Sequence, residues 1–411
     1  MGDERTGNIN RRGVLKCMAW AGTGLVWGIR SGMPVSWGLG DAHAATPKGF
    51  SFLQVSDSHI GFDKPPNPDA RATFREAVAK IQALPQRPAF ILHTGDISHL
   101  SREQEWDDAD QILGEARLPV FHIPGEHDML DDENGKAYLR RYGQHARGAG
   151  WYSFDAHGIH FVALVNVANL KAGGMGSLGP EQLEWLERDL KGRSASTPLV
   201  VFAHIPLWVV YPEWGWGTED GARALSYTRR FGSVTVLNGH IHQVMQKEEG
   251  NVTFYTARST AFPQPAPGSA PSPGPLKVPA EALQGMLGIR SVSFVQGSQR
   301  LAIVDSSLAE GGSGTGAAAA ADGRAGGASP QTVRIDNFTF GPPKVTVPVG
   351  GTVTWLNNDD IPHTVVAQDK SFRSKTLDSQ ESFSFTFAKA GQYGYFCSLH
   401  PHMTGTVIVN S

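Results

Sequence analysis

Five short clusters of histidine and carboxylate side chains follow one another along the chain, each directly after an apolar run. Asp57-Ser58-His59 follows Phe52-Leu53-Gln54-Val55, and Gly95-Asp96 follows Phe90-Ile91-Leu92. Gly125-Glu126-His127-Asp128 follows residues 119–123, His204 follows 199–202, and Gly239-His240-Ile241-His242 follows 234–237. Short apolar, β-branched runs read as buried strands, so each cluster is expected on the loop at a strand's carboxyl end. Loops along one edge of a sheet can converge on one site.

Phosphoester cleavage needs charge neutralised on the phosphoryl oxygens and a nucleophile at neutral pH, and two metal ions about 3.5 to 4 Å apart supply both. Carboxylate oxygens can bridge two cations, whereas an imidazole binds one. The clusters therefore suit a dinuclear cage with Asp96 as the bridge.

The series resembles the calcineurin-like metallophosphoesterase superfamily, whose pattern is Asp-x-His, Gly-Asp, Gly-Asn-His-Asp or -Glu, a lone His and Gly-His-x-His, over roughly residues 50 to 262. The resemblance implies an α/β fold, the calcineurin-like four-layer α/β sandwich. It implies that Asp57, His59 and His242 hold the first metal, that Asp96 bridges, and that His204 and His240 hold the second, the metals being divalent or trivalent Mn, Fe or Zn. It also implies that His127 is the general acid or leaving-group stabiliser, oriented by Asp128.

One position departs from the family pattern: its metal-binding Asn is Glu126 here. Glu ligates hard cations but adds a charge. Asp57, Asp96, Glu126 and a bridging hydroxide bring about four negative charges against four positive for two divalent ions. A neutral cage attracts a phosphate dianion less. Three readings follow: one metal is trivalent, the enzyme prefers monoanionic diesters, or activity is weakened.

Residues 331–411 differ in composition, with short Val, Thr and Phe runs punctuated by Gly and Pro, and read as a small β-sandwich. His363 precedes one strand, and Cys397-Ser398-Leu399-His400-Pro401-His402-Met403 follows another. One thiolate, two imidazoles and a thioether make a type 1 copper site. The spacing resembles the amicyanin-like and plastocyanin-like cupredoxins, implying a Greek-key sandwich that binds one copper ion through His363, Cys397, His400 and axial Met403 and transfers single electrons to a redox partner. His402, adjoining Met403, is expected to point outward near the copper edge.

The amino terminus carries Arg11-Arg12, an apolar stretch to about Ile29 and Ala42-His43-Ala44-Ala45. This reads as a twin-arginine export signal over residues 1–44, with a retained anchor as the alternative, and places the protein in the periplasm. The apolar stretch is shorter than the roughly 20 residues of a bilayer span, so no stable membrane span is expected after cleavage. Cleavage would remove Cys17 and leave Cys397 as the only thiol, available to copper. It would also leave 31 Lys/Arg against 36 Asp/Glu, a balance that argues against nucleic-acid binding.

The phosphoesterase domain is expected over 47–305, a Gly/Ala-rich flexible linker over 306–330 and the cupredoxin over 331–411. Helices are expected at 69–84 and 179–190. A linker of this composition and about 25 residues spans roughly 25 to 30 Å, enough for the copper domain to reach the hydrolase domain without being fixed to it. The aromatic loop 208–216 and the Pro-rich stretch 263–275 are candidates for a substrate wall and a lid, or for loop packing. Lys64 is read as solvated, and His93, His99, His122, His157 and His160 as structural or supporting residues. The leading function is an exported phosphoesterase acting on small phosphomono- or phosphodiesters, most like the cyclic-nucleotide phosphodiesterase branch. The alternative is a copper electron-transfer protein whose phosphoesterase-like domain only binds.

Overall fold

The structure, a computed structural model, describes residues 25–30, 33–38 and 49–410 apart from 132–134, 145, 171–172, 296–300, 310–330, 337, 360 and 401. The twin arginine, the cleavage motif and the Gly/Ala-rich stretch 311–329 lie outside the described residues. Within the unit ending at Gly49, β1 (Leu25–Arg30) pairs antiparallel with β2 (Met33–Gly38).

From Gly49 the chain runs β3 (Gly49–Val55), α1 (Ala70–Gln82), β4 (Ile91–His93), α2 (Glu103–Glu115), β5 (Val120–His122), β6 (Tyr152–Ala156), β7 (Ile159–Ala163) and α3 (Gly179–Leu190). It continues through β8 (Leu199–Ala203), β9 (Val234–Asn238), β10 (Met245–Glu249), β11 (Val252–Thr256), β12 (Gly288–Val295) and β13 (Ala302–Ser307). One sheet has the order β13-β12-β3-β4-β5 and the other β10-β11-β9-β8-β7-β6. β7, β8 and β9 are buried at every residue, as parallel strands covered on both faces must be.

The two sheets face each other across Phe52, Phe90, Leu92, Phe161, Phe202 and Leu237. α1 starts at Asp69, whose carboxylate accepts the Ala72 N–H, and buries Phe74, Ala77, Val78 and Ile81 at helical spacing. With Trp106, Ala109 and Ile112 of α2 these residues cover the outer face of the first sheet. α3 covers the second through Leu183, Leu186 and Leu190. The result is the expected helix, sheet, sheet, helix sandwich. β13 extends to Ser307, and Leu308 is packed in this core.

The carboxyl-terminal sandwich contains β14 (Thr332–Asp336), β15 (Thr339–Gly341), β16 (Lys344–Pro348), β17 (Thr352–Asn357), β18 (Val366–Ala367), β19 (Ser382–Thr386), β20 (Gly391–Phe396) and β21 (Thr404–Asn410). Sheets β15-β14-β17-β19 and β16-β21-β20-β18 close over Val353, Trp355, Phe372, Tyr395 and Val407.

The sandwich is packed against the hydrolase layers, where the sequence suggested only a loose tether. Ile361 joins Phe62, Ala70, Ala261 and Phe262 in one apolar cluster, and Leu130 packs against the sandwich core. Arg102 lies 3.6 Å from Asp378 across the same boundary. Paired apolar surfaces of this kind bury area that a free linker would leave in water.

Candidate dinuclear and copper centres

All five clusters meet at one end of the parallel strands. Asp96 is central, with Oδ2 3.5 Å from His59 Nε2 and 3.4 Å from His204 Nε2. On one side of it His242 Nε2 lies 3.3 Å from both Asp57 Oδ1 and His59 Nε2. On the other, Glu126 reaches His204 Nε2 at 3.1 Å and His240 Nδ1 at 2.8 Å. Glu126 Oε2, His204 Nε2 and His240 Nδ1 are nonetheless buried without a hydrogen-bond partner among the described residues. Atoms that crowd together yet do not bond one another aim at a common point, which is how metal donors are arranged. Two groups, Asp57/His59/His242 and Glu126/His204/His240, could each hold an ion, with Asp96 between them.

The field of the site calls for cations. Burial disfavours the charged form of His204, but Asp96 and Glu126 outweigh it and hold the imidazole well above its usual range. Burial likewise opposes ionisation of Glu126, yet His240 and His204 keep its carboxyl well below the ordinary value. Bound metal ions would satisfy the same carboxylates.

The backbone is bent to make this cage. Asp57, His59, Asp96, His240 and His242 all have positive φ, between 39° and 70°, a region that non-glycine residues rarely adopt. Such strain collects at functional sites held by their surroundings. The motif glycines make room: a Cβ on Gly125 would overlap Asp96, and one on Gly239 would overlap Ser56 and Asp57. Neither the strain nor these close approaches was legible before folding.

The far ring nitrogens fix the tautomers. His204 Nδ1 bonds Thr94 O at 2.7 Å and His242 Nδ1 bonds Phe262 O at 2.6 Å, leaving Nε2 of each ring for a metal. His59 Nδ1 instead faces His99 Nδ1 at 3.3 Å, so His99 supports a metal donor directly. The one sequence signal for that role was its place three residues after Asp96 on the same loop. His93 bonds Ser58 Oγ, His160 is held between Asp155 and Asp189, and His157 stacks on Phe50, all structural positions. His122 packs on Tyr142, and Lys64 is half-buried beside Asp63.

The pairing expected for His127 is different in the structure. Its Nδ1 lies 2.7 Å from His99 O, so a carbonyl, not Asp128, orients the ring. Asp128 accepts N–H bonds from Ile97, Ser98 and Gly125 and thereby ties two site loops together. Adjacent residues on a short helical turn point different ways, which the bare His-Asp dipeptide does not reveal.

At the second centre, Cys397 Sγ lies 3.7 Å from both His363 Nδ1 and His400 Nδ1, and the two nitrogens are 3.2 Å apart. Met403 is buried beside them. His363 Nε2 bonds Asp359 at 2.7 Å, which presents Nδ1 inward, and Thr364 N–H donates to Cys397 Sγ. Burial raises the thiol pKa, but His363 and Thr364 outweigh it and lower the net value, favouring the thiolate a copper ion needs. The donor set fits copper.

His402 departs from its expected outward position. With His400 and Leu399 it lines a cavity whose other walls are His59, Asp96, Glu126, His127 and His240. Trp214 and Trp216 of the aromatic loop and Gln264 and Pro273 of the Pro-rich stretch line it too. Both loops therefore face the site. Lys64 is not among the lining residues.

Residues 50–244 match the calcineurin-like phosphoesterase family, and 329–410 match the copper-binding plastocyanin/azurin family. A glycerophosphodiester phosphodiesterase of Enterobacter lignolyticus is 28% identical over 205 residues, 48% of this chain and 71% of that protein. Amicyanin of Paracoccus versutus is 37% identical over 82 residues, 19% of this chain and 62% of amicyanin. A dimetal phosphatase from Danio rerio shares the fold, with a TM-score of 0.50 and 15% identity, covering 64% of this chain and 98% of that one.

Proposed function

Because the chain belongs to the calcineurin-like phosphoesterases in its larger domain and to the plastocyanin/azurin copper proteins in its carboxyl-terminal one, we propose that it hydrolyses small phosphodiesters at a dinuclear metal centre and carries a type 1 copper centre for single-electron transfer. The observation that carries the reading is the convergence of donors from five loops around Asp96, with three donor atoms lacking any other partner. Asp57, His59 and His242 would hold one metal, Glu126, His204 and His240 the other, with Asp96 shared. Metals held there supply charge neutralisation on the phosphoryl oxygens and a nucleophile at neutral pH. His127, tied at Nδ1 to the His99 carbonyl, keeps Nε2 for a proton delivered to the leaving oxygen. Glu126 adds a carboxylate that weakens the pull on a dianion, which favours monoanionic diesters over monoesters. Trp214 and Trp216 offer apolar walls for the leaving group.

Export through the twin-arginine signal and a periplasmic location belong to the same reading, supported by Arg11-Arg12 and the Ala42-His43-Ala44 motif. Among the described residues no helix is long and apolar enough to cross a membrane. The test is hydrolysis of bis-p-nitrophenyl phosphate and p-nitrophenyl phosphate by the Mn- or Fe-loaded protein beside Asp96→Asn. Diester cleavage lost in the variant supports the reading. No turnover above the variant with any metal leaves a copper electron-transfer protein with a binding module.

A further inference from the structure

The copper loop lies over the mouth of the dinuclear cage. The ring of His400 stands 6.3 Å from that of His127, centroid to centroid and edge to face at 72°. Phe338 flanks His400 at 4.9 Å and lies so close to Gly274 that a Cβ there would overlap its ring. The Ile361 cluster and Leu130 hold the two domains together around this contact. Copper binding by the sandwich alone would need none of these contacts.

We infer that His400 and His127 form an electron bridge, so that the chain passes one electron between an iron ion held by Glu126, His204 and His240 and the copper ion held by His363, Cys397, His400 and Met403. This rests on the dinuclear reading above and adds a redox activity to it. The route is short. His127 follows Glu126 in the chain, and its N–H donates to Asp96 Oδ1 at 2.9 Å. The ring-to-ring step is then the one gap crossed without a covalent or hydrogen bond.

The direction follows from charge. Glu126 gives the cage a third carboxylate, which favours the higher oxidation state of an ion held there. His363 and Cys397 are fully buried and Met403 nearly so, and a buried thiolate site favours the less charged cuprous form. Both effects move the electron from Fe(II) to Cu(II), giving Fe(III) and Cu(I). No bond is made or broken, and no further reactant is needed for one transfer. Repeated transfer needs an external one-electron acceptor to reoxidise the copper and an external one-electron donor to return the iron to Fe(II). Zinc in the cage could not take part, having no second accessible oxidation state.

The experiment mixes full-length protein carrying only Cu(II) with Fe(II) under argon and follows the blue thiolate-to-copper absorption and the ferric EPR signal. The expected result is bleaching with one Fe(III) formed per copper, at a rate independent of protein concentration. Zinc bound beforehand in the cage should abolish that phase. Leu130→Glu, which loosens the domain contact, should slow it at least about tenfold while the blue spectrum persists. If that variant loses the blue spectrum, the zinc comparison decides alone. Bleaching at an unchanged rate with zinc present, a rate proportional to protein concentration, or no bleaching would overturn the bridge. Diester hydrolysis by the Mn-loaded protein without bleaching would overturn the bridge alone, whereas loss of both would overturn the dinuclear reading too.

Discussion

The proposed dinuclear cage draws seven candidate donors from five loops spread between Asp57 and His242, and five of those residues sit at positive φ. The proposed copper site takes three of its four candidate donors from residues 397–403, and none of the four is left-handed. Its loop is held by neighbours in sequence: Cys397 N–H donates to Met403 O and Met403 N–H to His400 O. The cage loops lean more on distant segments: Asp57 N–H donates to Gly95 O, His59 N–H to Asp96 O and Gly239 N–H to His204 O. Left-handed residues cost about 1 to 3 kcal/mol each, and the packing of two sheets and their covering helices has to hold them. A cage assembled this way should fail when distant packing fails, whereas the copper loop should survive any change that leaves its own sandwich folded.

The sharpest way to separate the two sites is Asp96→Asn. Diester kcat/KM should fall on the order of a thousandfold, with the blue absorption unaltered. Loss of colour in this variant would show that the cage supports the copper site structurally.

A second separation uses pH. Burial raises the carboxyl of Glu105, which caps the loop at Leu100 and Arg102, to about 7. Between the ordinary carboxyl value of 4.5 and about 7 the folded chain keeps a proton that the unfolded chain has lost. This contribution to stability is therefore present below pH 4.5 and lost as pH rises through 7, by at most about 3 kcal/mol. Denaturation followed by tryptophan fluorescence should show the slope, and Glu105→Gln should remove it. Unfolding followed by the blue band should show it only if the domains unfold together.

Gly239→Ala tests the close approach at Asp57 and Ser56. Metal affinity of the cage, read by equilibrium dialysis, should drop about 10- to 100-fold, and copper affinity should not change. The smallest expected effect is on the other side. Asp359→Asn leaves His363 a weaker partner and should cut copper affinity about tenfold and move the reduction potential, with hydrolysis by the Mn form unaffected.

Much of this was written along the chain. Strand-end clusters, the Asp69 and Gly179 helix starts, the change to a β-rich carboxyl terminus and the Cys397-to-Met403 spacing are all local signals, and periodicity and spacing are properties a linear chain displays. The side chains that meet at Asp96 were legible as a group because each follows an apolar strand. His402 was undervalued, since its place depends on rings brought from other loops. Asp128 was misjudged because neighbours on one helical turn point different ways, and its carboxylate faces Ile97, Ser98 and Gly125.

By itself the sequence determined which side chains could carry the chemistry and on which kind of segment each would sit, since apolar patterning and donor spacing are encoded residue by residue. Only the tertiary structure decided that His99 stands behind His59, that the site backbones turn left-handed, and that His400 comes to rest against His127. Those depend on which loops share a sheet edge and which apolar faces find each other, and long-range packing of that kind has no local signature.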